Sequence, residues 1–244
     1  MRLTRCPIAL PLAVGQTVAL PEDAANHLVR VMRLREGDAC VLFNGDGHDY
    51  TAVVVGLGKR EVTLRIDAAQ PVHNESPLAI TLLQGIARGE KMDLILQKAT
   101  ELGVNAIIPV NAERTEVKLD AARAEKRIAH WRSVVASACG QSGRARIPAI
   151  AAPQALAAAA ASLPAQTLRL TLDPEGEHRL AGLSAAPANG VVIAIGPEGG
   201  WSPRDRQVLA EAGFQGLQLG PRILRTETAG LAAIAALQAR LGDL

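Results

Sequence analysis

Two stretches near the end of the chain, "VVIAIGPEGGWSPRD" at 191–205 and "LQLGPRILRTETAG" at 217–230, carry the same device. In each, an apolar run of strand character ends in Gly-Pro, and a run of helical character follows. One Gly-Pro after a strand is ordinary turn chemistry. Two of them within about thirty residues, with Glu198 in the first loop and Arg225 after the second, predict two strand-to-helix loops at the same end of one sheet. In an open parallel sheet that end is where ligands sit. Gly196, Gly199, Gly200 and Gly220 permit tight turns and close backbone approach, while each proline fixes φ and stiffens its loop. Such loops can read a flat adenine through backbone groups, with Leu219 and Leu224 against its faces. They can also be no more than tight turns.

Working outward, 78–244 alternates strand and helix. "LAITLLQGIA", "VNAIIPV", "TLRLTLD", "VVIAIG" and "LQLG" read as strands. "EKMDLILQKATELG" reads as a helix with Met92, Ile95, Leu96 and Ala99 on one face and Gly103 just past its end. Further helices are expected over 121–139, near Ala155–Ala161, from Ser202 and from Thr226. Ser202 is placed to cap its helix, with Pro203 at the first helical position and Asp205 near the positive end of the dipole. This alternation predicts a parallel sheet covered on both faces. Residues 1–70 read instead as short strands ("QTVAL", "ACVLF", "TAVVVGLG"). A turn lies at Asn44–His48, and one short helix carries Leu28, Val31 and Met32 on a face. The expectation is a small barrel, then a linker over 71–77, where "DAAQPVHNESP" loses apolar periodicity.

Composition narrows the function. Net charge is +2, and aromatic residues make up 2% of the 244, so a single-strand binder built on stacked aromatics is poorly supported. Cys6, Cys40 and Cys139 show no C-x-x-C spacing and the five histidines no paired-ligand spacing. Neither a zinc site nor a disulfide framework is expected, and a reducing cytoplasm is. No signal segment opens the chain, and the alanine-rich run is too short to span a bilayer. There is no P-loop, no G-x-G-x-x-G and no G-x-S-x-G.

"IGPEGGWSPRD" with "LGPRILRTETAGLAAIAALQARLGDL" resembles the C-terminal end of the RsmE family, bacterial 16S rRNA uridine N3-methyltransferases of the SPOUT class. "EDAANHLVRVMRLREGD", "RGEKMDLILQKATELGV", "ERTEVKL" and "ACGQSGRARIP" carry the likeness through most of the chain. It implies an α/β fold: a SPOUT domain at 78–244, with a parallel sheet and a deep trefoil knot, behind a PUA-like β-barrel at 1–70 that assists RNA binding. It implies S-adenosylmethionine as cofactor, no metal, a homodimer with the active site shared, and the small ribosomal subunit as partner. On this resemblance the cofactor is held by Leu172, Gly196, Pro197, Glu198, Gly199, Leu219, Gly220, Ile223, Leu224 and Thr226.

Methyl transfer to uridine N3 needs alignment and a cation beside the anionic uracil. Arg225 is the candidate cation, and Glu198 orients it or accepts the proton, orientation being favoured because a nearby arginine keeps a carboxylate ionised. N3 lies on the Watson–Crick edge, so the target must be unpaired or flipped. Arg5, Arg30, Arg33, Arg88, Lys91, Arg144 and Arg146 are candidates for the RNA backbone. Alternatives are a SPOUT enzyme for another RNA position and a non-catalytic RNA-binding assembly protein. The sequence does not identify the modified nucleotide, the general base, or whether free RNA or an assembled subunit is the substrate.

Overall fold

In a computed structural model the protein is described at all residues except 1–2, 27, 30–31, 59–60, 118–120 and 184–187. It divides into two compact units, one of residues 1–75 and 136–147, the other of 76–135 and 148–244.

The first unit is a mixed five-stranded sheet in the order β1-β3-β4-β5-β2. Its strands are β1 (Arg5–Pro7), β2 (Thr17–Ala19), β3 (Ala39–Phe43), β4 (His48–Leu57) and β5 (Val62–Pro71). β1 and β3 run parallel, and the pairs β2–β5, β3–β4 and β4–β5 antiparallel. Alternation puts Cys40 and Leu42, Tyr50, Ala52 and Val54, and Val62, Leu64 and Ile66 on one face, where they share a core with Cys6, Val18 and Leu28. β5 takes in residues through Pro71, where the sequence shows no apolar period, because Tyr50, Asp49 and His48 of β4 pair with it backbone to backbone. α1 (Glu22–Asn26) begins where the sequence opens its helix, and helical turns recur at Leu28 and Val29. Leu28 is buried, but Met32 is exposed rather than on a core-facing stripe. Val31 lies outside the described residues.

The second unit is an all-parallel sheet in the order β11-β13-β10-β12-β6-β7-β8, with β9 also beside β7. Its strands are β6 (Ile80–Gly85), β7 (Ala106–Asn111), β8 (Ala149–Ile150), β9 (Gln154–Ala155), β10 (Leu168–Leu172), β11 (His178–Arg179), β12 (Val191–Ile195) and β13 (Gln215–Gln218). Its helices are α2 (Glu90–Glu101), α4 (Leu156–Ala161), α5 (Pro203–Glu211) and α6 (Thr226–Leu241); α3 (Ala121–Ser142) gives its last turns to the first unit. β12 is central and all five of its residues are buried, as a strand covered on both faces requires. α2 buries Met92, Ile95, Leu96 and Ala99, the stripe its period predicts. α5 begins in a reciprocal capping box between Ser202 and Asp205 with Pro203 at the first turn. α6 packs on β12, β6 and α2.

β13 starts two residues earlier than the apolar pattern suggests. Gly216 sits within it because a Cβ there would lie 2.9 Å from the Cα of Gly176. A strand position reserved for backbone-to-backbone contact has no apolar side chain to announce it.

Candidate active site

The two Gly-Pro loops leave the carboxyl ends of β12 and β13 and enclose a cavity of about 320 Å³, which also reaches the end of β10. Each loop is fixed from behind. In the first, Gly200 donates its N–H to the Pro197 carbonyl at 2.8 Å, and buried Trp201 donates from Nε1 to Thr171 Oγ1 at 3.0 Å. In the second, Gly220 adopts φ 132°, a region that disfavours a side chain, and a Cβ there would meet open space rather than protein. The chain then turns through Arg225, whose extended backbone forms the N-cap of α6.

Nine of the ten residues expected at the cofactor line this cavity: Leu172, Gly196, Pro197, Glu198, Leu219, Gly220, Ile223, Leu224 and Thr226. Gly199 does not. Its carbonyl accepts a hydrogen bond from Arg114 Nη1 at 3.0 Å, and a Cβ would come within 2.9 Å of Arg114 Cβ. Its smallness leaves room for Arg114, in the loop after β7. Ile223 lines the cavity yet is 88% exposed. Sequence reasoning missed Asp173, Arg206 and Arg222, which also line it. Asp173 and Arg206 form an ion pair at 2.9 Å on its wall. Adjacency to the predicted loops was the only signal for Asp173 and Arg222, and Arg206 had none beyond its place in the first turns of α5.

Arg225 is exposed, and among the described residues neither it nor Arg222 has a side-chain hydrogen bond or an ion pair. The expected pairing of Glu198 with Arg225 is not what the structure holds. Glu198 Oε1 instead accepts the Arg88 backbone N–H at 3.0 Å and lies 3.5 Å from Lys91 Nζ, which is also 3.8 Å from Glu227. Burial alone would raise the Glu198 carboxyl. The Arg88 N–H, Glu198's own backbone N–H and Lys91 together outweigh it and hold the group below its ordinary value. It is a poor base and a firm anchor.

The expected RNA-facing residues separate into three groups. Arg5 and Arg144 are corrected to structural roles. The Arg5 side chain is 5% exposed and ion-paired to Asp49. It donates to the Cys139 carbonyl at 2.9 Å and stacks 4.7 Å from the Phe43 ring. Arg144, 4% exposed, donates from Nε to Glu75 at 3.0 Å. Buried and ion-paired inside the protein, neither guanidinium is presented to a phosphate. Lys91 is occupied by two carboxylates. Arg33 and Arg146 are exposed, and Arg88 makes only an exposed pair with Glu116, of the kind that contributes little. Arg30 lies outside the described residues.

Burial pushes the thiols of Cys6 and Cys139 up to about 11 and that of Cys40 to about 12, so none is a ready nucleophile at neutral pH. Among the described residues no cluster of three metal-ligating side chains occurs, and no helix is long and apolar enough to cross a membrane.

Residues 74–238 match the RNA methyltransferase domain family, and 20–67 match the RNA methyltransferase PUA domain. A ribosomal RNA small subunit methyltransferase E from Buchnera aphidicola is 32% identical over 243 residues, covering 100% of this chain and 98% of that protein. Among solved structures, the enzyme of that name from Neisseria gonorrhoeae, bound to S-adenosyl methionine, is 43% identical with a TM-score of 0.94 over 99% of both chains. A putative methyltransferase from Legionella pneumophila, in complex with the cofactor SAM, is 37% identical with a TM-score of 0.95 over the whole of both chains. With its PUA-like sheet, its all-parallel sheet and the cavity between its two Gly-Pro loops, the chain belongs to the ribosomal RNA small subunit methyltransferase E family of RNA methyltransferases.

Proposed function

We propose that the protein methylates N3 of a uridine in the 16S rRNA of the small ribosomal subunit, using S-adenosylmethionine and working as a homodimer. The observation that carries this reading is the cavity between the two Gly-Pro loops, with an unpartnered Arg225 at its lining. The residues fit the cofactor. The volume is at the lower end of small-molecule sites, Leu172, Leu217 and Leu219 supply apolar walls, and Gly220 leaves its backbone bare toward open space. Two relatives of 37% and 43% identity, solved with this cofactor, support the same assignment.

When bound, the sulfonium supplies an activated methyl group. The protein's own contribution is placement and charge. Uridine N3 becomes nucleophilic once its proton passes to solvent, and the negative charge spreads to O2 and O4, where the Arg225 guanidinium would stabilise it. Glu198, held ionised, anchors the first loop to Lys91 and the Arg88 backbone. The target base must be out of any duplex to present N3. Arg33, Arg88 and Arg146 are assigned to the RNA backbone, and the domain at 1–70, joined through 71–77 to 78–244, assists that contact.

The homodimer rests on α6. Its buried stripe, Ala229, Ala233, Ile234 and Leu237, faces the sheet, while Leu231, Ala232, Ala235 and Ala236 form a second, half-buried stripe. A ribosomal substrate and three buried, free cysteines suit the cytoplasm. Mass spectrometry of nucleosides from 16S rRNA tests the reaction. The expected result is N3-methyluridine in RNA from cells carrying the protein and its loss from cells without it; a methyl group on another nucleotide, or no change, would contradict it.

A further inference from the structure

β6 reads "ITLLQG", and its one amide side chain, Gln84, is fully buried beside Ile195 of β12. A buried amide in an otherwise apolar stretch must find partners, and both Gln84 Nε2 donors do. One goes to the Gly85 carbonyl at 2.9 Å and the other to Thr226 Oγ1 at 3.1 Å. Exchanging the amide's nitrogen and oxygen would set its oxygen against the Gly85 carbonyl, so the donors determine the orientation. The Thr226 hydroxyl thus accepts from Gln84, and its single proton goes to the Gly196 carbonyl at 2.6 Å. Among the described residues Gln84 Oε1 has no hydrogen-bond partner.

We propose that Gln84 is a positioning residue: through the Thr226 hydroxyl it latches the start of α6 to the first Gly-Pro loop and so sets the shape of the cavity. Three segments meet at this point. Gly85 presses on the first loop so closely that a Cβ there would lie 2.5 Å from Pro197 N. Arg225 immediately precedes Thr226, and Glu198 follows Gly196 by two residues. The latch therefore fixes the spacing between the elements that carry both. It also ties the Thr226 side chain to the protein: its hydroxyl accepts from Gln84 and gives its one proton to Gly196. Gln84 Oε1 faces Gly230 on α6, where the missing side chain leaves the amide room.

The inference rests on the reading of the cavity as the cofactor site, but its test does not depend on ligand. The variants are Gln84→Met, Thr226→Val and the pair, with Thr226→Ser as the conservative control. Hydrogen exchange is followed in the ligand-free protein at the Gly200 and Ala229 amides, which bond to Pro197 and Arg225 on the two sides of the latch. Both single variants are expected to keep the wild-type melting temperature within a few degrees and to raise exchange at these amides about tenfold. The pair should be no worse than either single variant, and Thr226→Ser should match wild type. Wild-type exchange in the folded single variants, or additive effects in the pair, would overturn the latch. Calorimetry with S-adenosylmethionine on the same proteins is expected to show a parallel tenfold loss of affinity. Silent wild-type protein there would overturn the reading of the cavity and leave the exchange result to decide the latch.

Discussion

The carboxylate of Glu198 accepts the backbone N–H of Arg88 at 3.0 Å, so the first loop of the cavity is held by the segment that follows β6. Arg225, at the cavity lining, has no carboxylate partner among the described residues. An unpaired guanidinium at the rim of a cavity is costly only if it is buried, and this one is exposed.

The anchoring of Glu198 has a pH signature. Its folded-state value lies below the ordinary 4.5, so the stability it contributes is complete above the unfolded value and lost as pH falls through the folded one. The difference in unfolding free energy between wild type and Glu198→Gln is expected to be flat from neutral pH to about 5 and to shrink below about 4.5. Urea melts across that range measure it, and a difference that grows on acidification would contradict the assignment.

Gly220 and Gly199 are expected to fail differently. Gly220→Ala forces a side chain into φ 132°, a strain of about 1–3 kcal/mol, and places a methyl in the open cavity, so cofactor affinity falls with little repacking elsewhere. Gly199→Ala drives a methyl against Arg114 and disturbs the loop after β7 first. Calorimetry beside thermal melts distinguishes them: equal losses of affinity at unchanged stability would show that both face the ligand.

The arginines of the first unit divide by burial. Arg144→Met leaves Glu75 without its ion-pair partner, and breaking such a pair costs about 3 kcal/mol or more. Arg146→Ala is expected to leave the melting temperature unchanged and to lower the salt dependence of RNA binding by about one counterion. Binding isotherms at several salt concentrations decide it; an unchanged slope for Arg146→Ala would remove it from the RNA surface.

The second stripe of α6 predicts a dimer. Light scattering at micromolar concentration should give twice the chain mass, and Leu231→Arg should give a monomer that keeps its fold. A wild-type monomer would leave the exposed Ile223 and the half-buried Leu231 without a partner and would contradict the shared site.

What could be read from the sequence was whatever local chemistry dictates. The stripe Met92, Ile95, Leu96 and Ala99 follows from helical period, and the Ser202–Asp205 cap follows from the residue types that satisfy free N–H groups at a helix start. The double Gly-Pro device located both loops of the cavity. Long-range pairing stayed hidden. Arg5 reaches Asp49 and Cys139, 44 and 134 residues away, and no local pattern separates a buried arginine from a solvated one. Gln84 finds Thr226 across 142 residues. Glu198 was recognised, but its partner was not, because Arg88 holds it with a backbone N–H that any residue could supply.

Arg225→Ala tests the central claim most directly, in single-turnover methylation of small ribosomal subunits at saturating cofactor beside a cofactor-binding isotherm. Stabilisation of an anionic uracil is realised mainly in the transition state, so turnover should fall by about 10²–10³, or about 3–4 kcal/mol, while cofactor affinity stays near wild type. Arg225→Lys should recover part of the loss, because a point charge lacks the planar fork. Turnover unchanged in Arg225→Ala, or lost only in step with cofactor affinity, would contradict the account.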